Sequence, residues 1–128
     1  MTVFAAGLLA CLLVAHYLGD FTPLSTGRML EAKAAGGPVS LIASHAGVQT
    51  ILVAVVVAVA SGFDLRLLVA VVAIEFVTHF TIDLSRGRLG TRFPRMRDPT
   101  NRAFWWVLGL DQLAHCLVLV LITFMVTG

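Results

Sequence analysis

The chain has 128 residues, 59% of them hydrophobic and 12% charged, with a formal net charge of +2. A soluble domain is about 45–50% apolar and about 25% charged, and one small core cannot hide so much apolar side chain. The composition excludes a water-soluble globule, and equally a disordered chain, which is poor in apolar residues and rich in charge. It points to a single integral membrane domain.

Crossing a bilayer takes about 20 consecutive apolar residues. Four stretches qualify, at about 3–19, 41–60, 65–84 and 104–126. The first lacks the basic n-region of a secretory signal and runs into His16, Tyr17 and Asp20 rather than a small-residue cleavage site, so it reads as a retained helix. A tight turn at 61–64 joins the second and third into a helical hairpin. Residues 20–40 carry Pro23, a short helical stretch near 28–35 placed at the membrane interface, and the breaker Gly36–Gly37–Pro38. Residues 85–102 hold Arg86, Arg88, Arg92, Arg95, Arg97 and Arg102 against one acid, Asp98.

Eight of the nine Lys and Arg residues fall in these two connections, and Arg66 alone lies on the other side. The positive-inside rule places both long loops in the cytoplasm and both termini outside. Tyr17, Trp105 and Trp106 then sit near the cytoplasmic helix ends, where an aromatic belt is expected. The expected fold is all-α, an integral membrane four-helix bundle. An arginine cluster also suits nucleic acid, but beside membrane spans it reads as an orientation signal in contact with anionic lipid, and no nucleic-acid partner is expected. Cys11 and Cys116 lie in apolar runs and read as small buried hydrophobes. Ala54 with Ala58, and Ala70 with Ala73, offer small-residue stripes for close helix packing.

All four histidines lie within the spans, each four residues from an acid or amide. His16 precedes Asp20, His45 precedes Gln49, Glu75 precedes His79, His79 precedes Asp83, and Asp111 precedes His115. An i,i+4 spacing stacks both side chains on one helix face. Counted at about 1.5 Å per residue, these groups fall in one layer roughly 0–16 Å from the cytoplasmic side. An ionisable group at membrane depth costs on the order of 3 kcal/mol unless it is paired or bound to a cation. One or two divalent cations held by His16, Asp20, His45, His79, Asp83, Asp111 and His115 would relieve that cost. Histidine with carboxylate and no thiolate suits zinc first, and manganese or iron as well. The competing reading is a hydrogen-bonded or proton-conducting polar network. Gln49 and Gln112 read as groups that support the ligands.

The order of these residues resembles a family of small bacterial membrane proteins known as DUF3307. Its pattern is a first helix ending in H-x-x-x-D-F, then a lysine, then L-x-x-x-H, H-x-x-x-D and D-Q-x-x-H. These appear here as His16–Asp20–Phe21, Lys33, Leu41 to His45, His79 to Asp83, and Asp111–Gln112 to His115. Leu24 stands where the family often has Gln, and Arg86 where it often has Lys, so neither is counted as essential chemistry. The resemblance implies the cytoplasmic membrane of a bacterium and brings no activity with it. In layout the chain is also similar to membrane-bound metal-dependent hydrolases of the YdjM type.

Three functions remain open on the sequence. The first is a metal-dependent hydrolase acting on a lipid or phosphate-containing substrate at the cytoplasmic leaflet. In it Glu75, or whichever acid stays unligated, serves as general base, and Lys33 with the loop arginines holds an anionic head group. No G-x-S-x-G motif supports serine catalysis. The second is a metal-ion or proton transporter, against which the outer half of each span is almost wholly apolar, so that a path would need the axis of a homo-oligomer. The third is a structural or partner-binding protein stabilised by its metal.

Overall fold

The computed structural model describes residues 2–128. Four long helices form the bundle: α1 (Val3–Phe21), α3 (Val39–Ala60), α4 (Leu65–Arg92) and α5 (Arg102–Thr127). A short helix, α2 (Gly27–Ala35), follows α1, and a 3-10 turn (Pro94–Met96) precedes α5. The fold among the described residues is all-helical, and each long helix has the length and apolarity to cross a membrane.

The helix starts are set by local chemistry. The Thr2 hydroxyl accepts from Ala5 N at 3.1 Å, the Asp64 carboxylate from Arg66 N and Leu67 N, and the Asn101 side chain from Ala103 N. Each satisfies an amide that the helix leaves free. The hairpin turn expected at 61–64 is present, with Gly62 and Phe63 both at positive φ. All four long helices run beyond the apolar stretches, α1 and α4 with consequences for the site. Asp20 is helical, in the last turn of α1, and α4 continues past Leu84 to Arg92. Residues 85–92 contain no proline, so nothing stops the helix before Pro94. Arg86, Arg88 and Arg92 therefore project from a helix rather than a loop.

Around the bundle, α1 packs on α3 and α5, and α4 packs on α3 and α5. Its core is divided along its length. At the end that holds the chain termini, Leu8, Leu12, Val53, Val57, Leu119 and Ile122 pack into a dry apolar cluster. At the loop end the buried side chains include His16, Asp20, His45, His79, Asp83 and His115. The outer surface is the reverse of a soluble protein's: Ile51, Val55, Val59, Leu110, Leu117 and Phe124 all face outward. A polar interior inside an apolar sheath is the arrangement a bilayer selects.

The short helix lies not beside the bundle but docked on α3 and α4, with Ala32 and Lys33 buried. Gly36, at φ +74°, ends it in the left-handed conformation that favours glycine. Its backbone touches α4 at Gly87, where an added Cβ would collide with the Lys33 carbonyl and with Gly36. That close approach carries Lys33 into the polar core.

Candidate metal centre

The structure gathers the layer of polar residues into one cluster. Asp20 from α1, His45 from α3, and His79 and Asp83 from α4 point at a common centre, with His115 from α5 beside them. Nε2 of His45 lies 3.0 Å from Oδ1 of Asp20 and 3.4 Å from Oδ2 of Asp83. Nε2 of His79 lies 3.8 Å from the same Asp20 oxygen and 3.4 Å from the same Asp83 oxygen. Two groups, Asp20–His45–His79 and His79–Asp83–His115, bring ligand atoms close enough together to hold a metal ion. Ligands bound tetrahedrally at about 2.0–2.1 Å lie about 3.4 Å from one another. The four inner separations bracket that value.

The outer atoms decide which way the inner ones face. Nδ1 of His115 lies 2.8 Å from the Asp111 carbonyl, which can only accept, so Nδ1 carries the hydrogen and the neutral ring leaves Nε2 bare. Nδ1 of His79 lies 3.3 Å from the Glu75 carboxylate, which favours the same tautomer. Nδ1 of His45 meets the Ser25 hydroxyl at 2.7 Å. Carboxylate, carbonyl or hydroxyl behind the ring is how metal-binding histidines are oriented. Nε2 of His79, Nε2 of His115 and Oδ2 of Asp83 are buried with no partner at hydrogen-bonding geometry. Orphaned atoms of that kind are costly unless a cation takes them.

Lys33 does not compete for the centre. Its Nζ donates to Oδ2 of Asp20 at 2.9 Å and lies 3.0 Å from Oδ1 of Asp83, the outer oxygen in each case. Lys33 thus leaves the inner oxygens, Oδ1 of Asp20 and Oδ2 of Asp83, facing the histidines. Burial pulls the Lys33 ammonium down, but Asp83, Asp20 and Asp111 outweigh it and hold it above its ordinary value, so it stays charged. Asp20 and Asp83 thus share one ammonium, Glu75 faces the His79 ring, and Asp111 has Arg86 at 3.9 Å.

The remaining residues of the layer form a belt. Gln112 Nε2 donates to Asp111 at 3.1 Å and Asp20 at 3.5 Å, which sets its amide so that Oε1 accepts from His16 Nε2 at 3.3 Å. His16 therefore spends its Nε2 on Gln112, and neither His16 nor Asp111 belongs to the two ligand groups. Gln49 donates to Asp20 Oδ1 at 2.7 Å and to the His16 carbonyl at 3.1 Å. It reaches α1 because residue 19 is glycine; a Cβ there would collide with the Gln49 amide. Glu75 is 2% exposed and stands behind the His79 ring. Ser25 and Gly19 escape a sequence reading, because each acts across helices and neither has a periodic signal. A cavity of about 160 Å³ opens the cluster on the loop side, lined by Asp20, Phe21, Lys33, Arg86, Asp111 and Gln112.

Comparison with curated proteins and with solved structures gives no match. The ordered motifs, His16 to Asp20, His79 to Asp83 and Asp111 to His115, do converge on one site, and they are carried by a segment with known relatives. Residues 8–128 match the family described as "Protein of unknown function (DUF3307)", and the chain belongs to that family.

Proposed function

We propose that the protein is a metal-dependent hydrolase of the bacterial cytoplasmic membrane, with its loop end in the cytoplasm and a lipid or phosphate-containing substrate. The observation that carries this reading is a set of buried ligand atoms at tetrahedral spacing, with His79 Nε2 and Asp83 Oδ2 left bare, beside a cavity that opens to the loop side. Asp20, His45, His79 and Asp83 would hold zinc, with manganese or iron as alternatives of the same ligand preference. Bound there, the metal supplies Lewis acidity toward a water or a phosphoryl oxygen.

The chain's own residues do the rest. Ser25 and Glu75 orient His45 and His79, and Lys33, Gln49 and Gln112 hold Asp20. Glu75 is shut behind His79, so the role of general base passes to the acid left unligated at the cavity, Asp111, whose Oδ1 is buried and unpartnered. His115 Nε2, bare and 3.6 Å from Asp83, is placed to hold or pass a proton. The dry cluster of Leu8, Leu12, Val53, Val57, Leu119 and Ile122 blocks the other half of the bundle, which favours chemistry at one face over a conduit through the protomer.

A second reading has its own support. Four inner ligands make a closed set, and closed tetrahedral sites are usually structural. Metal analysis and turnover separate the two. Purified protein should carry one ion per chain, His79→Ala none, and the loaded wild type should release phosphate or a head group from a phosphorylated lipid in a chelator-sensitive way. A metal-free wild type of intact helix content overturns both readings. One bound ion with no turnover, but with melting that chelator brings down, leaves the structural one.

A further inference from the structure

Two of the loop-end arginines, Arg86 and Arg97, line one small space together. Arg86 forms a wall shared by two cavities. One is the space of about 160 Å³ that reaches Asp20 and Asp111. The other, of about 70 Å³, lies between Ala34, Gly90, Arg97 and Phe104 and has no carboxylate in its lining. Arg86 is 22% exposed along its side chain and stands 3.9 Å from Asp111, too far for a hydrogen bond. Among the described residues that is the one ion pair either arginine makes. Asp98, next to Arg97, is occupied locally: its Oδ1 accepts from Thr100 N at 2.9 Å and Thr100 Oγ1 at 2.7 Å. These bonds hold its carboxyl below the usual range.

The seat of Arg97 is built by a glycine. Gly90 is buried in α4, and a Cβ there would come within 2.9 Å of Arg97 Cγ, so the arginine's stem lies across the helix at that point. Arg86 and Gly90 are four residues apart on α4 and share a face. Laying Arg97 over Gly90 therefore puts it with Arg86 in the lining of one small space, walled by Phe104 and Ala34.

We propose that Arg86 and Arg97 form an oxyanion subsite that takes the phosphate group of the substrate. Planar guanidinium groups bind phosphate through paired N–H donors, which a lysine cannot reproduce. With no acid in the lining, nothing in the small cavity competes for them. As the shared wall, Arg86 brings a bound phosphate to the entrance of the cavity that Asp20 and Asp111 line. The proposal rests on the hydrolase reading for the fate of the bound group, but the anion site is measured independently of the metal.

The test titrates detergent-purified protein of known metal content with inorganic phosphate and with dihexanoyl phosphatidic acid, followed by calorimetry and phosphorus NMR. Arg86→Ala and Arg97→Ala should each weaken binding at least tenfold while leaving metal content unchanged. Arg86→Lys should recover only part of it. Gly90→Leu, which unseats Arg97 without removing a charge, should weaken binding as well. Equal affinity for both probes identifies a free phosphate group as the ligand, and tighter arginine-dependent binding of phosphatidic acid identifies a lipid head group; either supports the subsite. Binding unchanged in both alanine variants, or absent in the metal-loaded wild type at millimolar ligand, overturns it. Arginine-dependent binding by a protein that takes up no metal keeps the subsite and removes the hydrolase.

Discussion

At the scale of single residues, the centre is governed by what stands behind each imidazole. The Asp111 carbonyl, Glu75 and Ser25 each touch the Nδ1 side of a ring and turn Nε2 inward. Ser25 is the most informative of the three to remove, because it touches no inner ligand atom. Ser25→Ala should lower zinc affinity about 10–100-fold, the usual cost of losing such a partner, with helix content unchanged; competition against a chromogenic chelator reads it. An affinity equal to wild type would mean that His45 is not a ligand. The i,i+4 pairs were legible in the sequence because a helix brings its own neighbours onto one face without help. Ser25 and Gly19 were not, because their partners, His45 and Gln49, lie on another helix.

The same distinction governs whole elements. Apolar runs announced four spans, and four long helices are present. The short helix was expected at the interface, but its placement was decided by a contact between backbones, Gly36 against Gly87. A valine at 87 should push α2 off α4 and draw Lys33 away from Asp20 and Asp83. Overpacking of this kind costs about 1–3 kcal/mol, so Gly87→Val should melt earlier than wild type. Gly47→Ala is the control: it is also helical but has open space where the Cβ would go, and it should show no loss. Equal melting temperatures for the two variants would sink the docking argument. The extension of α4 beyond the apolar run belongs here too, since charge does not end a helix and proline does.

Across the whole molecule, charge and polarity are sorted to one end. The arginine-rich segment, the cavities at Arg86 and the ligand cluster share the loop end, while the apolar plug fills the end with the termini. With the loop end in the cytoplasm, a cysteine replacing Thr100 should be labelled by an impermeant reagent only from the cytoplasmic side, and one replacing Ser61 only from the other, in a background without Cys11 and Cys116. The opposite pattern would reverse the orientation and move the site to the outer face.

The sequence by itself determined the class, the number of spans and the level at which the histidines and acids meet. All of these follow from rules that act along the chain: the length of an apolar run and the helical repeat. Only the tertiary structure decided which atoms face the centre. It gave the inner oxygens of Asp20 and Asp83 to the cluster and their outer oxygens to Lys33, spent His16 on Gln112, and shut Glu75 behind His79. Those choices depend on how four helices and one short insert pack against one another. Packing sets distances between residues far apart in sequence, and no periodicity encodes them.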